Sequence, residues 1–247
     1  MNRRLVSILL LATGLRCIHL DAPISGRDAW RQADTAAIAR NFHREGMDLF
    51  HPAVDWRGTG AGWVQSEFPI YSWVHALLGG GTLTGRLLAI AGGLLAIYAL
   101  YRLLRDMINE RAALWGALII ACSPVGVYYT RTVQPDAWMF GAQISALWLT
   151  RSHLTDGPRS HGPLAALAFT IACLIKPHSI VLLLPLAALF VVHRGWDSLR
   201  SRWVLGTTVG SIALVAGWYL CSSYKARYFG TLSKPRSMSG ITCDTLR

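Results

Sequence analysis

Along most of this chain hydrophobic positions gather into long runs broken by short polar turns, but from Asp21 to Phe68 polar and apolar residues are mixed. The apolar runs fall at roughly 4–20, 84–104, 112–128, 136–150, 163–176, 179–193 and 203–221. Several are shorter than the ~20 residues of a straight bilayer crossing, so flanking residues such as Gly126 to Tyr129 are expected to extend them. The pattern predicts an all-α, polytopic transmembrane bundle of about seven spans, with a large first external loop carrying short amphipathic helices.

Orientation follows from the basic residues. Met1-Asn2-Arg3-Arg4 followed by Leu5 to Leu15 looks like a signal peptide, but no small-residue cleavage site follows it. It reads as an uncleaved first span with its N-terminus in the cytoplasm. Alternation then places the loops at 102–111, 151–159 and 193–202 inside, each with two or more arginines, as the positive-inside rule requires. The 21–68 segment, the 128–136 turn, the Lys176-Pro177-His178 turn and the C-terminal tail fall outside. Residues 69–78 are apolar but stop at Gly79-Gly80-Gly81, which predicts an interfacial or re-entrant helix; a full crossing would invert everything after it. Residues 1–221 are expected to form one membrane module, with 21–68 its working loop, and 222–247 a polar, irregular tail.

Composition supports this division. The chain is 53% hydrophobic and 15% charged, against about 25% charged residues in an average soluble domain. Its net charge of +11 is spread over loops with no run of five like charges, which argues against nucleic acid and for orientation and anionic-lipid contact. The five cysteines lack metal-like spacing and read as small core hydrophobes.

Seven of the thirteen acidic residues lie in the 21–68 segment, beside five arginines. Arg27 to Gly46 predicts an amphipathic helix closed by a glycine. It would carry Arg27, Arg31 and Asp34 on one face, where guanidinium groups suit phosphate oxygens and a carboxylate can accept a proton; an ordinary solvated face fits the same spacing. Asp136 opens a predicted span after Arg131, where a carboxylate serves either as a cap or as a site residue. Lys176 stands so close to hydrocarbon that it needs a carboxylate, a route to the interface or a lipid phosphate. Glu67 is placed to bind a metal or to hold the loop, and His178 is a second candidate metal ligand. The predicted topology gathers all these groups at one membrane face, which suits transfer of a group from a phosphate-linked lipid. A transporter or flippase would instead call for broken helices or mid-span charges.

Trp30-Arg31-Gln32-Ala33-Asp34-Thr35-Ala36, Ala39-Arg40-Asn41-Phe42 and Ser66-Glu67-Phe68-Pro69-Ile70-Tyr71 resemble the first external loop of bacterial membrane glycosyltransferases of the GT-C fold. The group is the Rgt-like and dolichyl-phosphate-mannose protein mannosyltransferase-like superfamily. Ser123-Pro124, Tyr128-Tyr129-Thr130-Arg131, Pro135-Asp136 and Lys176-Pro177 continue the resemblance in order, over roughly residues 1–220. It implies an inverting transfer of a sugar from a polyprenyl-phosphate donor to a lipid or glycan acceptor hydroxyl of the cell envelope. The enzyme would be a multi-pass protein of the bacterial inner membrane, active at its periplasmic face, with the 21–68 segment as a periplasmic loop. Carried over residue by residue, the acid that deprotonates the acceptor is Asp34 or, in another register, Asp28. Asp136 is a further catalytic candidate, and Arg31, Arg131 and Lys176 are candidates for the donor phosphate. Glu67 matches a loop-end acid that in some relatives helps bind a divalent metal ion, which the resemblance permits without requiring. Relatives that transfer aminoarabinose carry a lysine just after that acid, where this chain has Phe68. Members typically have about a dozen spans, so the chain corresponds to an N-terminal module. The expectation is a truncated or frameshifted product, active or an inactive remnant.

Overall fold

A computed structural model describes residues 2–26, 28–57, 62–64, 67–155 and 157–232, with side chains through Ser222. Among the described residues the structure is helical apart from turns and a single antiparallel bridge between Ala53 and Trp63. Ten α-helices follow in order: α1 (Arg3–Cys17), α2 (Ala29–Glu45), α3 (Ile70–Leu77), α4 (Thr82–Met107), α5 (Glu110–Cys122), α6 (Pro124–Tyr129), α7 (Asp136–Leu154), α8 (His161–Ile175), α9 (Leu183–Arg194) and α10 (Arg202–Leu232). Two 3₁₀ turns, Pro177–Leu182 and Trp196–Arg200, precede α9 and α10.

The helices begin and end where the local chemistry dictates. Asn2 and Asn109 cap α1 and α5 by accepting the amides of Arg4 and Ala112. Gly46 closes α2 at φ 133, a conformation that suits glycine. The expected 112–128 span is instead two helices. Ser123 adopts ψ 123 and its hydroxyl accepts the Gly126 amide, while Pro124 has no N–H to continue α5.

Thr82–Met107, Pro177–Arg194 and Arg202–Ser222 are long and apolar enough to cross a membrane. The other expected spans are helical as α1, α5–α6, α7 and α8, but shorter or less apolar. Helix α3 has eight residues, about 12 Å of rise, far short of a crossing. Helix α10 runs on to Leu232, past the point where an irregular tail was expected; no proline interrupts the sequence until Pro235. The remainder of that tail, 233–247, lies outside the described residues.

The packing is that of helices meeting in an apolar solvent. Buried positions on α4, α5 and α7 are largely small: Ala89, Ala96, Ala99, Ala113, Ala117, Ala121 and Ala146. Large side chains such as Trp115, Ile119, Leu167, Leu184 and Val209 face outward. In water that arrangement would forfeit the hydrophobic driving force; in lipid, small contacts let backbones approach and large residues meet acyl chains. Helices α4 and α7 meet most closely. A Cβ on Gly141 would lie 2.8 Å from the Gly92 carbonyl oxygen, and one on Gly92 would lie 2.9 Å from the Trp138 amide nitrogen. Arg16, fully buried at the end of α1, donates to Thr130 Oγ1 at 2.7 Å and to the Ala12 and Ala121 carbonyls at 3.0 Å. It thereby fixes α1 against the α5–α6 break.

Candidate active site

Helix α2 lies against α3 and the turn before α7. Its buried stripe is Gln32, Ala36, Ala39 and Phe42, a 3.6-residue period. Gln32 Oε1 accepts the Val133 amide at 3.3 Å, and Ala36 packs with Tyr71 and Val133. Below it, the Tyr71 hydroxyl donates to the Gly85 carbonyl at 2.6 Å and Trp138 stands edge-on to the Tyr71 ring. These contacts fix the loop helix relative to α4 and α7, and so fix which side chains share a face.

The helix begins at Ala29, after Asp28 in the left-handed region at φ 60. Arg27, expected as its first basic residue, lies outside the described residues. Asp28 makes no cap hydrogen bond; its Oδ2 accepts the Tyr129 hydroxyl at 3.3 Å. The Arg31 guanidinium donates to Glu67 at 2.7 Å, each side chain about one-third exposed. Asp34, on the same flank one turn later, is half-buried.

A second ion pair lies between Lys176 and Asp136, at 2.5 Å, with side chains 14% and 22% exposed. Asp136 is the first residue of α7, and among the described residues its buried Oδ2 has no hydrogen-bond partner. The two pairs are physically joined. The Phe68 amide, next to Glu67, donates to the Leu174 carbonyl at 3.2 Å, two residues before Lys176. The same carbonyl accepts the Tyr219 hydroxyl at 3.1 Å, and Phe68 meets Trp218 edge-on at 4.8 Å. Loop end, α8 terminus and α10 therefore converge at one place.

Arg131 stands apart from both pairs. It donates to the Ile18 carbonyl at 2.8 Å, beside Arg86, which donates to the Leu20 carbonyl at 2.5 Å. His178 is exposed in the 3₁₀ turn. No group of three or more His, Cys, Asp or Glu side chains suited to a metal occurs among the described residues, and Glu67 is engaged with Arg31.

Sequence reading singled out Arg31, Glu67, Asp136 and Lys176 but not their pairing. It passed over Gln32, Arg86, Trp218 and Tyr219 as site-forming residues. A Trp-Tyr pair near the end of an apolar helix was the available signal.

The arrangement can be set beside known proteins. Residues 68–220, more than half of the chain, match the family model described as dolichyl-phosphate-mannose-protein mannosyltransferase. That span holds Arg131, Asp136, Lys176 and His178; the acids of the 21–67 loop precede it. The fold resembles the archaeal oligosaccharyltransferase AglB of Archaeoglobus fulgidus in complex with an inhibitory peptide and a dolichol-phosphate, at TM-score 0.60 and 16% identity over 94% of this chain. The apo form of the Archaeoglobus fulgidus oligosaccharyltransferase gives TM-score 0.57, also at 16% identity over 94%. In both cases the match covers 34% of the solved chain, so this chain spans about a third of their length. No curated protein matches the chain. Family match and fold agree: the chain belongs to the dolichyl-phosphate-mannose-protein mannosyltransferase family, of the GT-C fold.

Proposed function

We propose that the chain carries the catalytic face of an inverting glycosyltransferase that moves a sugar from a polyprenyl-phosphate donor to an envelope acceptor hydroxyl. The observation that carries the reading is the convergence of the Arg31–Glu67 and Asp136–Lys176 pairs through the Phe68–Leu174 hydrogen bond. The fold neighbour AglB is in complex with an inhibitory peptide and a dolichol-phosphate, and that lipid phosphate supports this class of donor.

Asp34 takes the proton of the acceptor hydroxyl as the oxygen forms a bond to the anomeric carbon. The bond from that carbon to the phosphate oxygen breaks, inverting the centre, and polyprenyl phosphate leaves with the electron pair. Lys176 and Arg31 meet the charge that develops on it. Each uses one donor group on its carboxylate; an ammonium has three N–H donors and a guanidinium five, so free donors remain for phosphate oxygens. The carboxylates hold both cations in place before the donor arrives, which limits reorganisation during transfer. Arg131, with Arg86 beside it, adds positive charge at the entrance from the α1 side. The face is periplasmic in a bacterial inner membrane.

Membranes bearing the chain are incubated with radiolabelled polyprenyl-phosphate sugars and a cell-envelope acceptor extract. Label should pass to acceptor, and Asp34→Asn should reduce transfer by at least ~100-fold with membrane expression unchanged, the lower range for a placed base. Loss in Asp28→Asn with retention in Asp34→Asn would move the base to Asp28. Absence of transfer by well-folded protein would overturn the reading for this chain.

A further inference from the structure

At the end of the bundle opposite the candidate active site, the C-termini of α7 and α9 and the start of α10 surround a cavity of about 440 Å³. Asp136 opens α7 and His153 lies near its close; Trp203 lies at the start of α10 and Tyr219 several turns further along it. The two sites are thus separated by the length of these helices.

The lining combines two chemistries. Arg194 and His153 are basic, Ser198 and Ser201 carry hydroxyls, and Phe190 and Trp203 supply aromatic surface. Among the described residues no carboxylate lines it; Asp197, on the neighbouring turn, does not reach it. Among the described residues neither Arg194 nor His153 forms an ion pair. The imidazole lies on Trp203, ring centroids 5.3 Å apart. Burial, followed by the positive charges of Arg194 and His161, makes His153 harder to protonate. A negative charge entering the cavity would relieve that repulsion.

We propose that this cavity binds the phosphate headgroup of an anionic phospholipid, with its acyl chains running along the apolar flank of α9 and α10. The apolar surface beside the cavity and the expected orientation together select a lipid over a free anion. The polar part of the lining adjoins Phe190 and Trp203, and just beyond it Val192, Leu205 and Val209 are 78%, 51% and 63% exposed. A soluble phosphate has no use for that surface, whereas acyl chains cover it. The positive-inside reading places this end at the cytoplasmic leaflet, where anionic headgroups attract basic loops.

Purified, delipidated protein in detergent is titrated with phosphatidylglycerol or phosphatidylcholine, and bound lipid is counted by native mass spectrometry. Phosphatidylglycerol should be retained preferentially. Arg194→Gln should lower its occupancy about fivefold, the effect of one basic residue near an anionic surface. Arg194 is exposed, so its replacement leaves packing intact. Arg200→Gln, a nearby exposed cation outside the cavity, should leave retention unchanged. Equal retention of both lipids, unchanged binding by Arg194→Gln, or an equal loss in Arg200→Gln would overturn the proposal. Displacement of phosphatidylglycerol by millimolar inorganic phosphate would likewise overturn it in favour of a free-anion site.

Discussion

Lys176 was legible from its position next to hydrocarbon, where a bare ammonium is costly; its partner Asp136 was not, because forty residues of chain separate them. Truncating the lysine leaves a carboxylate with one oxygen already buried and unpartnered. Lys176→Ala should destabilise the protein by on the order of 2 kcal/mol, below the range for fully buried pairs because both side chains retain some exposure. Lys176→Met combined with Asp136→Asn should recover part of that loss in thermal unfolding; strict additivity would show that the pair is not coupled. His75 offers a second residue-scale test. It is fully buried on α3 and its Nε2 lies 2.7 Å from the Gly81 carbonyl, so Nε2 carries the proton and the buried Nδ1 has no partner. Burial is the largest cause holding this histidine below its usual range, with the charge of Arg40 also lowering it and the Gly81 bond opposing. Its contribution to stability is therefore complete above about pH 6.5, the unfolded value, and is lost as pH falls towards the depressed folded value. The melting temperature should drop between pH 7.5 and 5.5, and less so in His75→Gln, whose amide can still reach Gly81.

Helix α2 shows how far local pattern reaches. Alanines at 29, 33, 36, 37 and 39 with Ile38 and Phe42 predict it and Gly46 predicts its end, but the helix starts at Ala29 because Asp28 turns into the left-handed region. The α4–α7 contact shows the limit. Glycine within an apolar run reads as a weakness of the helix, and only the crossing of two backbones reveals that Gly92 and Gly141 permit their approach. Gly92→Val should therefore lower thermal stability in detergent by about 1–3 kcal/mol, the cost of overpacking a tight contact. Gly206→Ala, on α10 with nothing within 4 Å of its added Cβ, should be neutral or slightly stabilising; comparable losses in both would assign the effect to helix propensity.

For the whole molecule the open quantity is how the helices thread the bilayer. Positive-inside loops and the short α3 argue that the polar loop and the Lys176 turn share one side and that the 102–111 loop lies on the other. Single cysteines at Phe50, Asn109 and Arg200, in a background lacking the native ones, should react with an impermeant reagent from outside, inside and inside respectively. Labelling of Phe50 and Asn109 from the same side would remove the proposed threading. The same threading separates the α7–α9–α10 cavity from the candidate active site by the depth of the membrane, so Arg194→Gln should leave the pairing of Lys176 with Asp136 intact.

Long apolar runs, arginine-bearing turns and a polar segment between them are properties of local composition. They sufficed to predict an all-helical membrane protein and where most of its helices lie. Which of those residues meet is a property of three-dimensional closure. Arg31 meets Glu67, Asp136 meets Lys176, and Phe68 reaches Leu174, because α2, α8 and α10 converge where no spacing along the chain records it. The break between α5 and α6 lies between these cases: Ser123-Pro124 wrote it locally, but the buried Arg16 that packs against it belongs to another helix.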